Sequence, residues 1–199
     1  DTHAFAGGDA MTADQVLARV MRYRPYYGKT GGVTFSGGEP LCQPAFVATL
    51  ARHMREAGIH TAVDTSGGVW NEAVRDAVDA VDLVILDVKH TDPARFRALT
   101  GVPMDNLHAI LAYCKEIQKP LWVRQVILPG WTDTVEEIHT LRRLVRGANV
   151  ERMELLPYHT LGVHKWEALG LPYPLVGVTP PSQATMDALN AVLYEEKSG

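Results

Sequence analysis

The sequence predicts an α/β fold with a parallel sheet covered by helices. Three observations carry that prediction. Short β-branched runs alternate with amphipathic stretches along the whole chain, which calls for a parallel sheet. Several runs are almost continuously apolar, as strands buried on both faces must be. Each run also closes on polar or special residues, and in parallel α/β folds ligands collect at the carboxyl ends of the strands.

The elements follow in order. Thr12-Ala-Asp-Gln15 has the form of a capping box, and Val16, Leu17, Val20 and Met21 follow at helical spacing. Residues 33–35 read as the first strand. Pro44 suits a first helical position, with Phe46, Val47, Leu50 and Met54 as the apolar stripe and Gly58 as the stop. Residues 60–67 (HTAVDTSG) form the second strand, and a helix starts near Asn71. Residues 81–90 (VDLVILDVKH) are the third strand. Leu107, Ile110, Leu111, Cys114 and Ile117 mark the next helix, and residues 121–130 (LWVRQVILPG) the fourth strand. Val135, Ile138, Leu141, Leu144 and Val145 line another helix, residues 150–159 (VERMELLPYH) are the fifth strand, and the last helix begins at Ser182 after a Pro- and Gly-rich loop. Nothing in the pattern chooses between a barrel-like curl and an open doubly wound sheet.

At 199 residues the chain fits one domain spanning 1–199. The net charge of -4, without a long basic run, argues against non-specific nucleic-acid binding. No apolar stretch reaches the ~20 residues a bilayer span needs, and no signal peptide is recognisable. Two distant cysteines, Cys42 and Cys114, make neither a disulfide framework nor a CxxC site and suit a cytoplasmic, reducing compartment.

The strand ends supply the candidate site. Ser36-Gly37-Gly38-Glu39 reads either as a tight strand-to-helix turn or as a backbone cradle in which Glu39 favours a cation. It is no Walker A loop, because no Gly-Lys-Ser/Thr follows. Asp64, Asp87 and Lys89 stand at the ends of two apolar strands. Asp87 and Lys89 point the same way, so they form either an internal ion pair or a ligand site. Arg124, in the middle of an apolar strand, calls for an anionic partner. His159, beside Tyr158, suits stacking on or hydrogen-bonding a ligand better than holding zinc. Cys114 lies on an apolar stripe and reads as core, and Cys42 has no evident base beside it.

The segments "GGVTFSGGEP", "GIHTAVDTSG", "DLVILDVKH", "WVRQVILPGWTD", "VERMELLPYHTLGVHKWEALG" and "GVTPPS" together resemble the radical S-adenosylmethionine activases of glycyl-radical enzymes, from Gly31 to Ser182. LPYHxLGxHKW is the specific part, whereas Gly-Gly-Glu is shared widely among radical S-adenosylmethionine enzymes. The resemblance implies a partial parallel (β/α) barrel with S-adenosylmethionine across its open top. It assigns Gly37, Gly38 and Glu39 to the methionine amino group, Asp87 and Lys89 to the cofactor site, and His159 to the nucleoside. It assigns Asp64, Thr65 and Asp87 to a monovalent cation. A methionine ligand of that cation corresponds to Ile85 here, which leaves that ligand in doubt. Arg124 matches a site-lining arginine.

The implied partners are a glycyl-radical enzyme, pyruvate formate-lyase first, and a flavodoxin- or ferredoxin-like electron donor, with docking expected near Trp131 and residues 164–166. Residues 1–32 contain no cysteine, which favours that partner over glycyl-radical enzymes whose activases carry a ferredoxin-like insert. The family also holds a 4Fe-4S cluster on CxxxCxxC, and no such motif exists in this sequence. "DTHAFAGG" corresponds to the segment after its last cysteine. The first strand and cluster loop are therefore expected upstream of Asp1. The chain as given is expected to be inactive and, with an open barrel edge, prone to aggregate. A module that binds S-adenosylmethionine or a partner without catalysis is the alternative.

Overall fold

A computed structural model of the chain describes residues 9–28 and 30–195, without the side chain of Lys165. The segment "DTHAFAGG" lies outside the described residues. Five parallel strands form one sheet: β1 (Gly32–Phe35), β2 (His60–Thr65), β3 (Leu83–Asp87), β4 (Leu121–Ile127) and β5 (Val150–Pro157). Their spatial order is their chain order, β1-β2-β3-β4-β5.

That order decides between the two architectures the sequence leaves open. A doubly wound sheet reverses direction at a switch point, and no reversal occurs here. Parallel crossovers are right-handed, so a sheet wound one way places its crossover helices on one face. The result is a partial (β/α) barrel, with helices outside and the opposite face turned inward.

Alternation along the strands matches this arrangement. Val63, Val84, Leu86, Leu121, Val123 and Ile127 join one large outer core with α2 (Pro44–Glu56), α3 (Glu72–Ala80), α5 (Asp105–Glu116) and α6 (Val135–Leu144). On the inner face Ala62, Leu83 and Ile85 make only a small cluster with Trp122.

The helix boundaries follow their capping residues. The Thr12–Gln15 capping box is formed at the start of α1 (Ala13–Tyr23). Asn71, Thr134 and Ser182 accept backbone N–H groups at the starts of α3, α6 and α8 (Gln183–Tyr194). No residue of α1 is buried. Its Val16, Leu17 and Val20 cover a satellite cluster of Leu50, Met54 and Ile59.

Two helices go beyond the sequence expectation: α4 (Pro93–Thr100) after β3, and the short α7 (Val163–Ala168) within the Pro- and Gly-rich loop. In α4 Asp92 caps the start, Pro93 fills the first turn and Gly101 closes the end, but Phe96 is its one buried residue. With a single buried position there is no apolar stripe to read. No helix among the described residues is long and apolar enough to cross a membrane.

Candidate functional site

The glycine loop sits at the end of β1. Gly37 has φ +129°, a conformation L side chains rarely adopt, and neither Gly37 nor Gly38 has an atom within 4 Å of where a Cβ would stand. The backbone there is open to an incoming group.

Glu39 is tied inward to the end of β2. Its Oε1 accepts from the Thr65 hydroxyl (2.8 Å) and the Leu41 N–H (3.2 Å), and its Oε2 from the Ser66 N–H (3.0 Å) and hydroxyl (2.9 Å). Four internal donors therefore meet the roughly four acceptor positions of one carboxylate. Thr65 Oγ in turn accepts the Gly67 N–H at 3.0 Å. Gly67 adopts φ +69° and packs so closely that a Cβ would come within 3.1 Å of Leu107 Cα. The β1 and β2 ends are thus one braced unit, with Ser66 as a partner that sequence reasoning left unassigned inside "DTSG".

The ends of β3 and β4 carry the charges. Lys89 Nζ donates to Asp87 Oδ2 at 2.6 Å, the ion pair allowed by their common side. Asp87 Oδ1 is buried and has no hydrogen-bond partner among the described residues. Arg124 meets two acids, Asp64 at 3.3 Å and Glu154 at 3.2 Å, and Glu154 also pairs with Arg152. The guanidinium of Arg152 lies 5.2 Å from the Trp122 ring centroid. Arg152 and Glu154 are separated by two along β5, the period of one strand face, which was the signal available for them.

Burial raises the Asp64 pKa above the ordinary carboxylate value. Arg124 pulls it down and Asp87 pushes it up as smaller effects. Its upward direction, despite the ion pair, shows that desolvation outweighs the guanidinium here.

Beside these groups opens a cavity of about 410 Å³ lined by Ser66, Lys89, Leu99, Thr100, Val126, Leu128, Tyr158 and Leu175. A volume of this order lies within the range of small-molecule sites. Val126 and Tyr158 also line an adjoining hollow with His159, which is itself exposed at the rim. Tyr158 Oη is 2.6 Å from Tyr173 Oη, and Trp166 packs edge-on against Tyr173 with ring centroids 5.9 Å apart. Burial, and then this contact, push the Tyr173 phenol up to about 12. The pair anchors the segment after β5 over the strand ends.

Gly37, Gly38, Glu39, Asp64, Thr65, Asp87, Lys89, Arg124 and His159 therefore gather at the strand ends and adjoining inner face, linked through Ser66 and Tyr158. The cysteines do not join them as a cluster. Cys42 is exposed, while Cys114 is buried in the outer core with its thiol pushed up to about 12 by burial. Among the described residues no group of three or more His, Cys, Asp or Glu could hold a metal ion.

Residues 2–145 match the family model of the Radical SAM superfamily. The pyruvate formate-lyase-activating enzyme of Clostridium pasteurianum is 42% identical over 200 residues, covering 98% of this chain and 82% of that protein. Its counterpart from Staphylococcus epidermidis is 37% identical over 196 residues, covering 94% and 78%. Among solved structures, a domain of a pyruvate-formate lyase-activating enzyme from Bacteroides vulgatus aligns with a TM-score of 0.63 at 24% identity, covering 81% of this chain and 92% of that one. A radical SAM methyltransferase from Sphaerobacter thermophilus aligns with the same TM-score at 19% identity, over 92% and 55%. Those structural likenesses speak to the fold, whereas the identity to the curated relatives over nearly the whole chain speaks to descent. The chain belongs to the pyruvate formate-lyase-activating enzymes of the radical SAM superfamily.

Proposed function

We propose that this chain binds S-adenosylmethionine across the strand ends and, as part of an activase, presents it to a glycine of pyruvate formate-lyase. The observation that carries the reading is Asp87: a buried carboxylate oxygen without a partner among the described residues, on a side chain whose ion-pair partner Lys89 lines the 410 Å³ cavity. A buried unpaired acceptor is costly and calls for a ligand donor. The ligand's chemistry fits the groups around it. Its ammonium suits the open backbone at Gly37 and Gly38 near Glu39, its hydroxyls suit Asp87, its carboxylate suits Lys89, and its base suits the apolar wall of Leu99, Val126, Leu128 and Tyr158 near His159.

When bound, S-adenosylmethionine supplies a sulfonium centre for radical chemistry. The protein's share is to orient it and keep water from it. Lys89 and Asp87 hold each other in place, Glu39 fixes the glycine loop against β2, and the Tyr158–Tyr173 contact closes one side. The same proposal takes Asp64, Thr65 and Asp87 as the ligands of a monovalent cation; Glu39 and Gly67 engage the Thr65 hydroxyl and Arg124 engages Asp64, so Asp87 would contribute the oxygen that has no partner among the described residues. Arg124 lines the inner face, where a peptide of the partner would approach.

A 4Fe-4S cluster does not fit the residues present. It needs closely spaced thiolates, and the two cysteines are far apart, one of them sealed in the core. A cytoplasmic setting and a flavodoxin- or ferredoxin-like donor belong to the same proposal.

Calorimetric titration with S-adenosylmethionine tests the reading without needing turnover. Saturable binding is expected, with affinity lowered about tenfold or more, roughly 1.4 kcal/mol, by Asp87→Ala or Gly37→Val. Absence of saturable binding to the folded wild-type chain would sink it.

A further inference from the structure

Glu137 of α6 makes contacts that the cofactor reading leaves unexplained. It lies three residues after the α6 cap Thr134, the place from which a capping-box glutamate would turn back to the cap's own N–H. Instead its side chain, only 5% exposed, turns into the fold. Oε1 accepts the Thr91 N–H and the Gln125 Nε2–H, both at 2.8 Å, and Oε2 accepts the Thr91 hydroxyl at 2.6 Å.

Among the described residues no lysine or arginine balances this carboxylate. His90 Nδ1 approaches Oε2 to 3.3 Å, but that nitrogen already accepts the Asp92 N–H at 2.9 Å. The ring proton therefore sits on Nε2, which donates to the Trp131 carbonyl at 3.1 Å. A buried carboxylate held only by neutral donors is a costly device, so it needs a purpose beyond packing. Gln125 conforms to it as well: its amide gives Nε2 to Glu137 and leaves Oε1 buried without a partner among the described residues.

The target of these bonds is the stretch that follows β3. Val88 is pinned by its N–H to the Arg124 carbonyl at 2.8 Å, and Thr91 is pinned by Glu137. Lys89 lies between the two anchors and lines the cavity beside Asp87. With its backbone fixed on both sides, the lysine keeps its ammonium against Asp87 and within the cavity wall. Without the Glu137 anchor, Thr91 loses its bonds to α6, and between Val88 and the α4 cap Asp92 there remain the bond of the His90 ring to the Trp131 carbonyl and the Lys89–Asp87 pair.

We propose that Glu137 is a positioning residue for the cofactor site, acting through Thr91 to fix where Lys89 stands. This rests on the S-adenosylmethionine reading for its functional consequence, but not for its structural one, so it is tested on both. The first readout is amide hydrogen exchange of the ligand-free chain. Glu137→Gln leaves an amide that cannot accept all three bonds. It is expected to raise exchange in the peptide spanning 88–92 at least tenfold while β2 is unchanged. Thr91→Val, which removes only the hydroxyl bond, is expected to do the same more weakly and serves if Glu137→Gln does not fold. Leu141→Ala, a buried α6 residue with no link to that stretch, is the control and is expected to raise exchange generally.

The second readout is a double-mutant cycle on S-adenosylmethionine affinity. Glu137→Gln is expected to weaken binding about tenfold in the wild type and to add nothing in a Lys89→Met background. Exchange at 88–92 that rises only in step with β2, or losses that simply multiply in the double variant, overturns the proposal. If the wild type binds no S-adenosylmethionine, the ligand reading fails and the exchange result alone decides this one.

Discussion

Leu86 and Ile85 are neighbours in β3 and both are nearly sealed from solvent, yet they belong to different parts of the molecule. Leu86 faces the helices and joins a core that runs from α2 to α8. Ile85 faces the inside of the partial barrel. There its buried company is Ala62 and Leu83, and the charges of Asp64, Arg124 and Glu154 lie within the same face. The outer face is dense because every crossover helix lands on it. The inner face is left for polar groups because no element of the sheet's own winding covers it. Stability and chemistry are thus separated by the two-residue period of a strand.

Truncation on either face sharpens this contrast. Leu86→Ala is expected to cost about 3.5 kcal/mol, because its cavity would be walled by helices that cannot collapse. Ile85→Ala is expected to cost about 2 kcal/mol, since its cluster is smaller and less packing is lost with the side chain. Chemical denaturation midpoints at constant m-value would measure both. Equal costs would mean that the inner face is as closely packed as the outer one.

The same division explains what the sequence could reveal. The strands were readable because β-branched runs alternate with apolar helical stripes, and the rim residues because each run ends in Gly, acid, Lys or His. The spatial order was not readable, since curl and double winding share one periodicity. Nor was Glu137, whose partners Thr91 and Gln125 lie 46 and 12 residues away along the chain. Its position on α6 matches a solvated capping glutamate equally well. Glu39 shows the reverse. Its motif drew attention to it, but its four internal donors, from Leu41, Thr65 and Ser66, appear only once β1 and β2 are side by side.

Arg124 tests whether the inner charges form one unit. Its side chain is 26% exposed, between the fully wet and fully buried cases. Arg124→Met is expected to cost about 1.5 kcal/mol at neutral pH, more than a surface pair and less than a buried one. It should also raise the Asp64 pKa further, because burial already raises it and Arg124 is the main opposing influence. The sign follows from proton uptake. A carboxyl whose folded pKa exceeds its unfolded value binds more protons when folded, so stability falls as pH rises from the ordinary carboxylate value through the raised one. In the variant that fall should be steeper and reach higher pH. A carboxyl-carbon NMR titration of Asp64 with and without Arg124 would show it, and an unchanged Asp64 titration would separate the two residues.

Arg152 marks the outer limit of that unit. It pairs with Glu154 and stacks over Trp122, but its side chain is 54% exposed. Exposed ion pairs and exposed cation–π contacts are each worth about 0.5 kcal/mol, so Arg152→Ala is expected to cost about 1 kcal/mol or less. Salt separates the two parts. At about 1 M ionic strength the Debye length shrinks to roughly 3 Å, which weakens an exposed pair. The contact of the guanidinium plane with the indole should persist. The loss on Arg152→Ala should therefore shrink by about half in high salt, and the remainder should vanish in a Trp122→Leu background. A cost that exceeds 2 kcal/mol and ignores salt would instead mean that Arg152 is part of the packed wall. The boundary between the wet inner face and the sealed core would then lie one strand position further toward solvent.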